Sequence, residues 1–260
     1  MPQQLPHVEF LIPTIAQEAR VLSWFCSPRP TGWNWSDVIY NRHPELQIML
    51  SYSTDPGKIY RRCYRYAKLF HTEHATEFKR TRKAQEKEWR TIEHSFLTTL
   101  AEHFETPYPP QRKHIRAYVS MVPIYPRWLD TWSFNISFFN PDRIKGLACH
   151  EILHFLYFKK WMEVFPNTKP EERNQPHLVW RLSEILDPII LNEHPTISKL
   201  VDSPQRTYKT FDAVRIRGVR PFTHFTRLYR RHLKSGRPFA DFLRDAWAEA
   251  QKYEKVLMGA

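Results

Sequence analysis

Glycine is scarce in this chain: six residues in 260, against twenty-one prolines. With so few flexible positions, segment ends are expected to be set by proline, as at Pro13, Pro56, Pro107, Pro123, Pro141, Pro176 and Pro221. Cysteine is scarcer still, and Cys26, Cys63 and Cys149 form an odd, sparse set that argues against a disulfide framework and fits a reducing compartment. No apolar run approaches the roughly eighteen residues that span a bilayer. The start, Met1-Pro2-Gln3-Gln4-Leu5, also lacks a basic stretch followed by a hydrophobic one. A soluble cytoplasmic protein without a membrane partner is expected. Repeats and low-complexity segments are missing too, and at 42% hydrophobic and 15% aromatic residues the chain is too apolar for disorder. Its length is enough to bury a sizeable core, as one domain or as a core with extensions.

Against that background one stretch stands out, Cys149-His150-Glu151-Ile152-Leu153-His154-Phe155. Two histidines four residues apart on a helix lie on one face, about 40° apart and one turn above each other, so both imidazoles can reach one metal ion. Glu151 points about 100° from His150, outside that coordination position but within reach of a water on the metal. The bare motif is weak, because this spacing arises by chance. Its context is stronger: Asn140-Pro141-Asp142 reads as a helix start, with Asn140 as N-cap and Pro141 at the first helical position. From Ile144 to Phe165 apolar side chains then cover nearly every direction, the mark of a buried helix. Imidazoles and a carboxylate withdrawn from water each cost about 1–3 kcal/mol unless partnered, and one metal ion would partner all three. The competing reading is a histidine bonded to a backbone carbonyl and a solvent-facing Glu151. Cys149 points away from the histidine face, towards a core role.

Downstream, Gln175-Pro176 is expected to open a helix through His177 to Asp187, with Leu178, Leu182 and Ile185 at helical spacing. Glu184 sits among those apolar residues. A carboxylate there would be matched by a zinc ion and would complete a three-ligand set that leaves a fourth position for water; otherwise it would pair with a neighbour such as Arg181. Asp187 shares the face of Glu184. It would accept the outer N–H of a ligand histidine or compete as a ligand itself. Pro188 removes the N–H that would bond the carbonyl of residue 184, so the helix is expected to kink or end there.

His150-Glu151-x-x-His154 followed some thirty residues later by Glu184 resembles the gluzincin zinc metallopeptidases, the thermolysin-like and minigluzincin group. The resemblance spans about residues 84–195. It implies zinc on His150, His154 and Glu184, with Glu151 as general base in peptide-bond hydrolysis and a peptide or protein as substrate. It also implies an α+β zincin-like core of backing helix, small mixed sheet and two ligand helices over residues 84–200, between an N-terminal helical extension (1–83) and a basic C-terminal helical region (201–260). Ser183 replaces the asparagine that precedes the glutamate in thermolysin, and the acidic residue follows after three positions instead of four; both departures touch the outer shell. Tyr157 and Lys160 stand where the metzincin pattern needs glycine and histidine. A third histidine, His177 or His194, would make the set similar to SprT-like proteases. Related enzymes stabilise the oxyanion with a tyrosine or histidine after the glutamate helix, and His194, Tyr208, His224 and Tyr229 are all candidates.

Elsewhere, Lys58 to about Thr106 reads as two helices. The first carries Ile59, Cys63, Ala67 and Phe70 and the second Trp89, Ile92, Phe96 and Leu100, while the charged span Lys79 to Arg90 reads as a solvated face. His114 to Val122 and Trp132 to Phe139 read as strands. By resemblance the second would be an edge able to accept extended peptide; a purely structural strand fits equally. Phe222 to Met258 reads as two helices separated by residues 234–238. Finally, 39 basic residues against 27 acidic ones give +12 and a pI near 9.7. Arg215, Arg217, Arg220, Arg227, Arg230, Arg231, Lys234 and Arg237 cluster near Phe222, Phe225 and Tyr229. Although no known nucleic-acid motif is present, the alternative function is a nucleic-acid-binding protein, or a protease acting near DNA or RNA, that uses this basic region.

Overall fold

Every second side chain of Ile115, Ala117 and Val119 is apolar, the period of a half-buried strand. In the computed structural model, which describes residues 5–28, 34–51, 53–201 and 203–259, this stretch is β2, His114–Ser120, with those three side chains fully buried and His114 and Arg116 exposed. β1, His7–Leu11, and β4, Ser133–Ser137, flank it in parallel. The two-residue β3, Arg127–Trp128, runs antiparallel on the outside of β4, giving a mixed sheet in the order β1-β2-β4-β3. With helices making up most of the remaining regular structure, the chain is α+β.

Both expected strands are therefore present, but the edge role of the second is corrected. β4 lies inside the sheet and is buried along its whole length. Two of its polar side chains are tied locally: Ser133 Oγ lies 2.7 Å from Thr131 Oγ1, and Ser137 Oγ accepts from the amides of Phe139 and Asn140 at 3.1 and 3.0 Å.

The contacts of the chain fall into two compact units, Pro6–Thr91 with Arg112–Ile144, and Met1–Leu5 with Ile92–Gln111 and Lys145–Ala260. The first contains the sheet and helices α1 (Ile15–Cys26), α2 (Ser36–Arg42), α3 (Pro44–Leu50), α4 (Pro56–Glu73) and α5 (Ala75–Arg90). Thr14 and Gln17 close a capping box at the start of α1. The buried stripe Ile59, Cys63, Tyr66 and Ala67 of α4 packs against α1, each large side chain contributing about 1.5–3 kcal/mol. Glu18 of α1 is buried yet well bonded: Ser120 Oγ donates to it at 2.7 Å and the Met121 amide at 3.0 Å, pinning α1 to the chain leaving β2.

The second unit contains α6 (Glu93–Phe104), α7 (Ile144–Val164), α8 (Leu178–Glu193), α9 (Lys209–Ala213), α10 (Pro221–Ser235), α11 (Phe239–Lys252) and α12 (Glu254–Met258). Residues 58–106 thus hold parts of three helices rather than two, with breaks at His74 and at Thr91–Ile92. The tail has the two expected helices plus the short α12, and Gly236 ends α10 in the left-handed region that its missing Cβ allows (φ 63°). Among the described residues no helix is long and apolar enough to cross a membrane.

Candidate metal centre

The histidines ride on α7. Asn140 and Pro141 lead into it through a short 3-10 turn, Pro141–Arg143, although the Asn140 side chain makes no capping bond. The helix is then enclosed on most sides, with Ile152, Leu153, Phe155, Leu156, Tyr157, Phe158 and Trp161 at most 2% exposed. Cys149 is buried, as its direction on the helix predicts.

The acidic side comes from α8, whose residues Leu178 to Leu191 are all buried. It starts after His177 and runs through Pro188 to Glu193, so the proline does not end it. Arg181 donates to the carbonyls of Pro176 at 3.1 Å and Leu257 at 2.9 Å, holding the chain end against the helix.

α7 and α8 bring four of the expected residues together. His150 Nε2 and His154 Nε2 lie 3.2 Å apart. Each is 3.5 Å from an oxygen of Glu184, His150 from Oε2 and His154 from Oε1. Donors about 2.0–2.2 Å from a tetrahedral zinc ion sit about 3.3 Å from one another, so these separations match one ion-sized gap. On the other side of His154, Nδ1 faces Asp187 Oδ2 at 2.5 Å. His150, His154 and Asp187 also form a group whose donor atoms lie within 4.8 Å of one another. The 2.5 Å contact is too short for two ligands of one tetrahedral ion.

Glu151, Glu184 and Asp187 are each at most 4% exposed, so three carboxylates share a nearly dry space. Burial pulls the His150 ring towards the neutral form, but its hydrogen bond to Glu184 and the charges of Glu151, Glu184 and Asp187 outweigh it and hold the pKa up at about 9. That field would also hold a divalent cation. His150 is the one imidazole with solvent contact, its side chain 18% exposed against 0% for His154, so the approach to the group is from its side.

No family model, curated protein or solved structure matches the chain.

The other candidates lie elsewhere. His177 precedes α8 and His194 follows it, about 10 and 15 Å along the axis from Glu184, so neither takes the place of Glu184. His194 packs against His103, and Tyr229 Oη lies 3.1 Å from His103 Nε2. His224 pairs with Glu249 at 2.9 Å. The Tyr208 ring lies 5.9 Å from that of Trp180, one turn before Glu184 on α8. Tyr157, one turn after His154 on α7, is fully buried. Burial, and after it the charge of Asp187, raise its hydroxyl well above the usual tyrosine range.

Three of the eight cations of the basic C-terminal cluster are paired with acids. Arg230 grips Glu193 through two bonds of 2.6 and 2.8 Å, Arg237 reaches Asp241 and Asp245, and Arg220 lies 3.6 Å from Asp212.

Proposed function

We propose that the chain is a zinc-dependent metallopeptidase of gluzincin type. His150, His154 and Glu184 would hold the ion, Glu151 would act as general base, and Asp187 would orient His154. The observation that carries this reading is the triangle of donor atoms at 3.2–3.5 Å, closed behind His154 by Asp187. Zinc supplies Lewis-acid polarisation of a carbonyl and lowers the pKa of water towards about 7.

The chain's own groups do the rest. Buried Glu151, one residue from His150, accepts a proton from the attacking water and delivers it to the departing amine, which makes an amide the natural substrate. Tyr208, whose ring packs against Trp180 one turn before Glu184, would steady a developing oxyanion. In this reading α7 and α8 are the paired ligand helices of a zincin-like core.

Elemental analysis of protein purified without chelators should find about one zinc per chain. Glu184→Ala should lose most of it, whereas Glu151→Gln should keep the metal and lose peptide hydrolysis. Metal-free wild-type protein that takes up no zinc on titration sinks the proposal.

A further inference from the structure

We propose that the outer face of α4, with the exposed indole of Trp24 beside its first turn, binds single-stranded nucleic acid. α4 has two unlike faces. Its apolar residues point inward against α1. Outward, Lys58, Arg61, Arg65 and Lys68 recur at intervals of three, four and three residues, forming one exposed stripe about 15 Å long. Among the described residues none of the four forms an ion pair within 4 Å. The nearest acid, Asp55, caps the helix by accepting from the Lys58 amide at 2.8 Å.

Aromatic surface adjoins these cations. Tyr64 is 40% exposed on the same helix, and Trp24 of α1 is 59% exposed. Trp24 lines a surface hollow with Arg20, Ser23, Ser27, Pro28 and Pro56. The Arg61 guanidinium lies over Gly57, where an added Cβ would come within 3.5 Å of Nη1, next to the proline that borders the hollow. Cations about one turn apart can follow a phosphate backbone, and a flat indole in a hollow can stack an unpaired base. A lipid surface fits less well: apart from Tyr64 the outer face offers only Leu69 for insertion, because the apolar stripe is already used against α1. The C-terminal cluster, richer in arginine, has three of its eight cations, Arg220, Arg230 and Arg237, paired with Glu193, Asp212, Asp241 and Asp245, whereas the stripe on α4 has none so paired among the described residues.

The test is fluorescence anisotropy with a labelled 20-nucleotide oligothymidylate across a salt series, using the full chain. Four neutralised phosphates give a slope of log affinity against log salt of about −3. Arg61→Glu with Arg65→Glu should remove most binding and flatten the slope, and Trp24→Ala should weaken binding roughly fivefold or more at every salt concentration. Arg230→Ala with Arg231→Ala should change little. Thermal melting controls for loss of fold, and these surface positions should leave it unchanged. The proposal fails if the α4 variant binds like wild type, if only the 230/231 variant loses binding, or if the protein binds phosphatidylserine vesicles and not the oligonucleotide. The zinc site takes no part, so the result is independent of the metallopeptidase reading.

Discussion

At the scale of single residues, His150 reports most directly on what its neighbours do. A ligand imidazole must be neutral, and three buried carboxylates hold this one protonated up to a pH of about 9. If His150 holds zinc as proposed, the ion has to displace a proton at neutral pH. Apparent zinc affinity should rise about tenfold per pH unit from pH 7 and level off near pH 9, as a chelator-competition titration would show. In the metal-free protein the same raised pKa contributes stability that is complete below pH 6.5 and is lost as pH rises through 9. Asp187 makes a separate prediction. Because its carboxylate meets His154 Nδ1 at 2.5 Å while the Nε2 atoms face Glu184, Asp187→Asn should lower zinc affinity by about 10–100-fold without abolishing binding. If Asp187 were a ligand in place of Glu184, the Asn variant would lose its zinc and Glu184→Ala would keep it.

At the scale of elements, the buried Glu18 shows what links a helix to the sheet. Its carboxylate accepts from Ser120 and Met121, and Val122 in turn donates to Ser120 at 3.0 Å. Glu18→Ala would strand those donors and should cost about 3 kcal/mol in a denaturant titration, with Glu18→Gln milder because it keeps an acceptor. Nothing in the sequence marks Glu18, since a glutamate on a helix is ordinarily a surface residue and its partners lie a hundred residues away. β1 escapes for the same reason: five residues with Val8 and Phe10 inward say little until β2 pairs with them. Local signals read better. The proline start and all-round apolarity of α7 and the helical spacing of α8 placed His150, Glu151, His154, Glu184 and Asp187 on two helices before any contact was known. The break at His74 falls between the two expected apolar stripes, whereas the one at Thr91–Ile92 splits the second stripe and carries no proline or glycine to mark it. The interior place of β4 was equally hidden, since a run of buried residues does not tell an edge from a centre.

At the scale of the whole molecule, charge is the property read most easily from the sequence and the one whose arrangement it conveys least. The basic cluster near residue 230 is conspicuous along the chain, and only in the fold do Glu193, Asp241 and Asp245 stand beside Arg230 and Arg237, whereas the stripe on α4 is diluted by Tyr60, Tyr64 and Tyr66 along the chain. Histidines are divided in a similar way by their surroundings. Burial holds His43 and His103 below the usual pKa, in one unit each. His43 is bonded at both nitrogens, to Tyr66 Oη at 2.8 Å and to the Met121 carbonyl at 2.9 Å, an arrangement that suits a neutral ring donating to the carbonyl and accepting from the phenol. On unfolding such rings take up protons near pH 6.5, whereas in the fold they do so only at lower pH. Their contribution to stability is therefore complete above pH 6.5 and lost as pH falls below it. Melting temperature should drop steadily from pH 7 to pH 5, and His43→Gln, which can still donate to Met121, should melt lower at pH 7 yet show a shallower drop. An unchanged drop in that variant would move the acid sensitivity to His103, whose neighbours His194 and His232 add to its resistance to protonation.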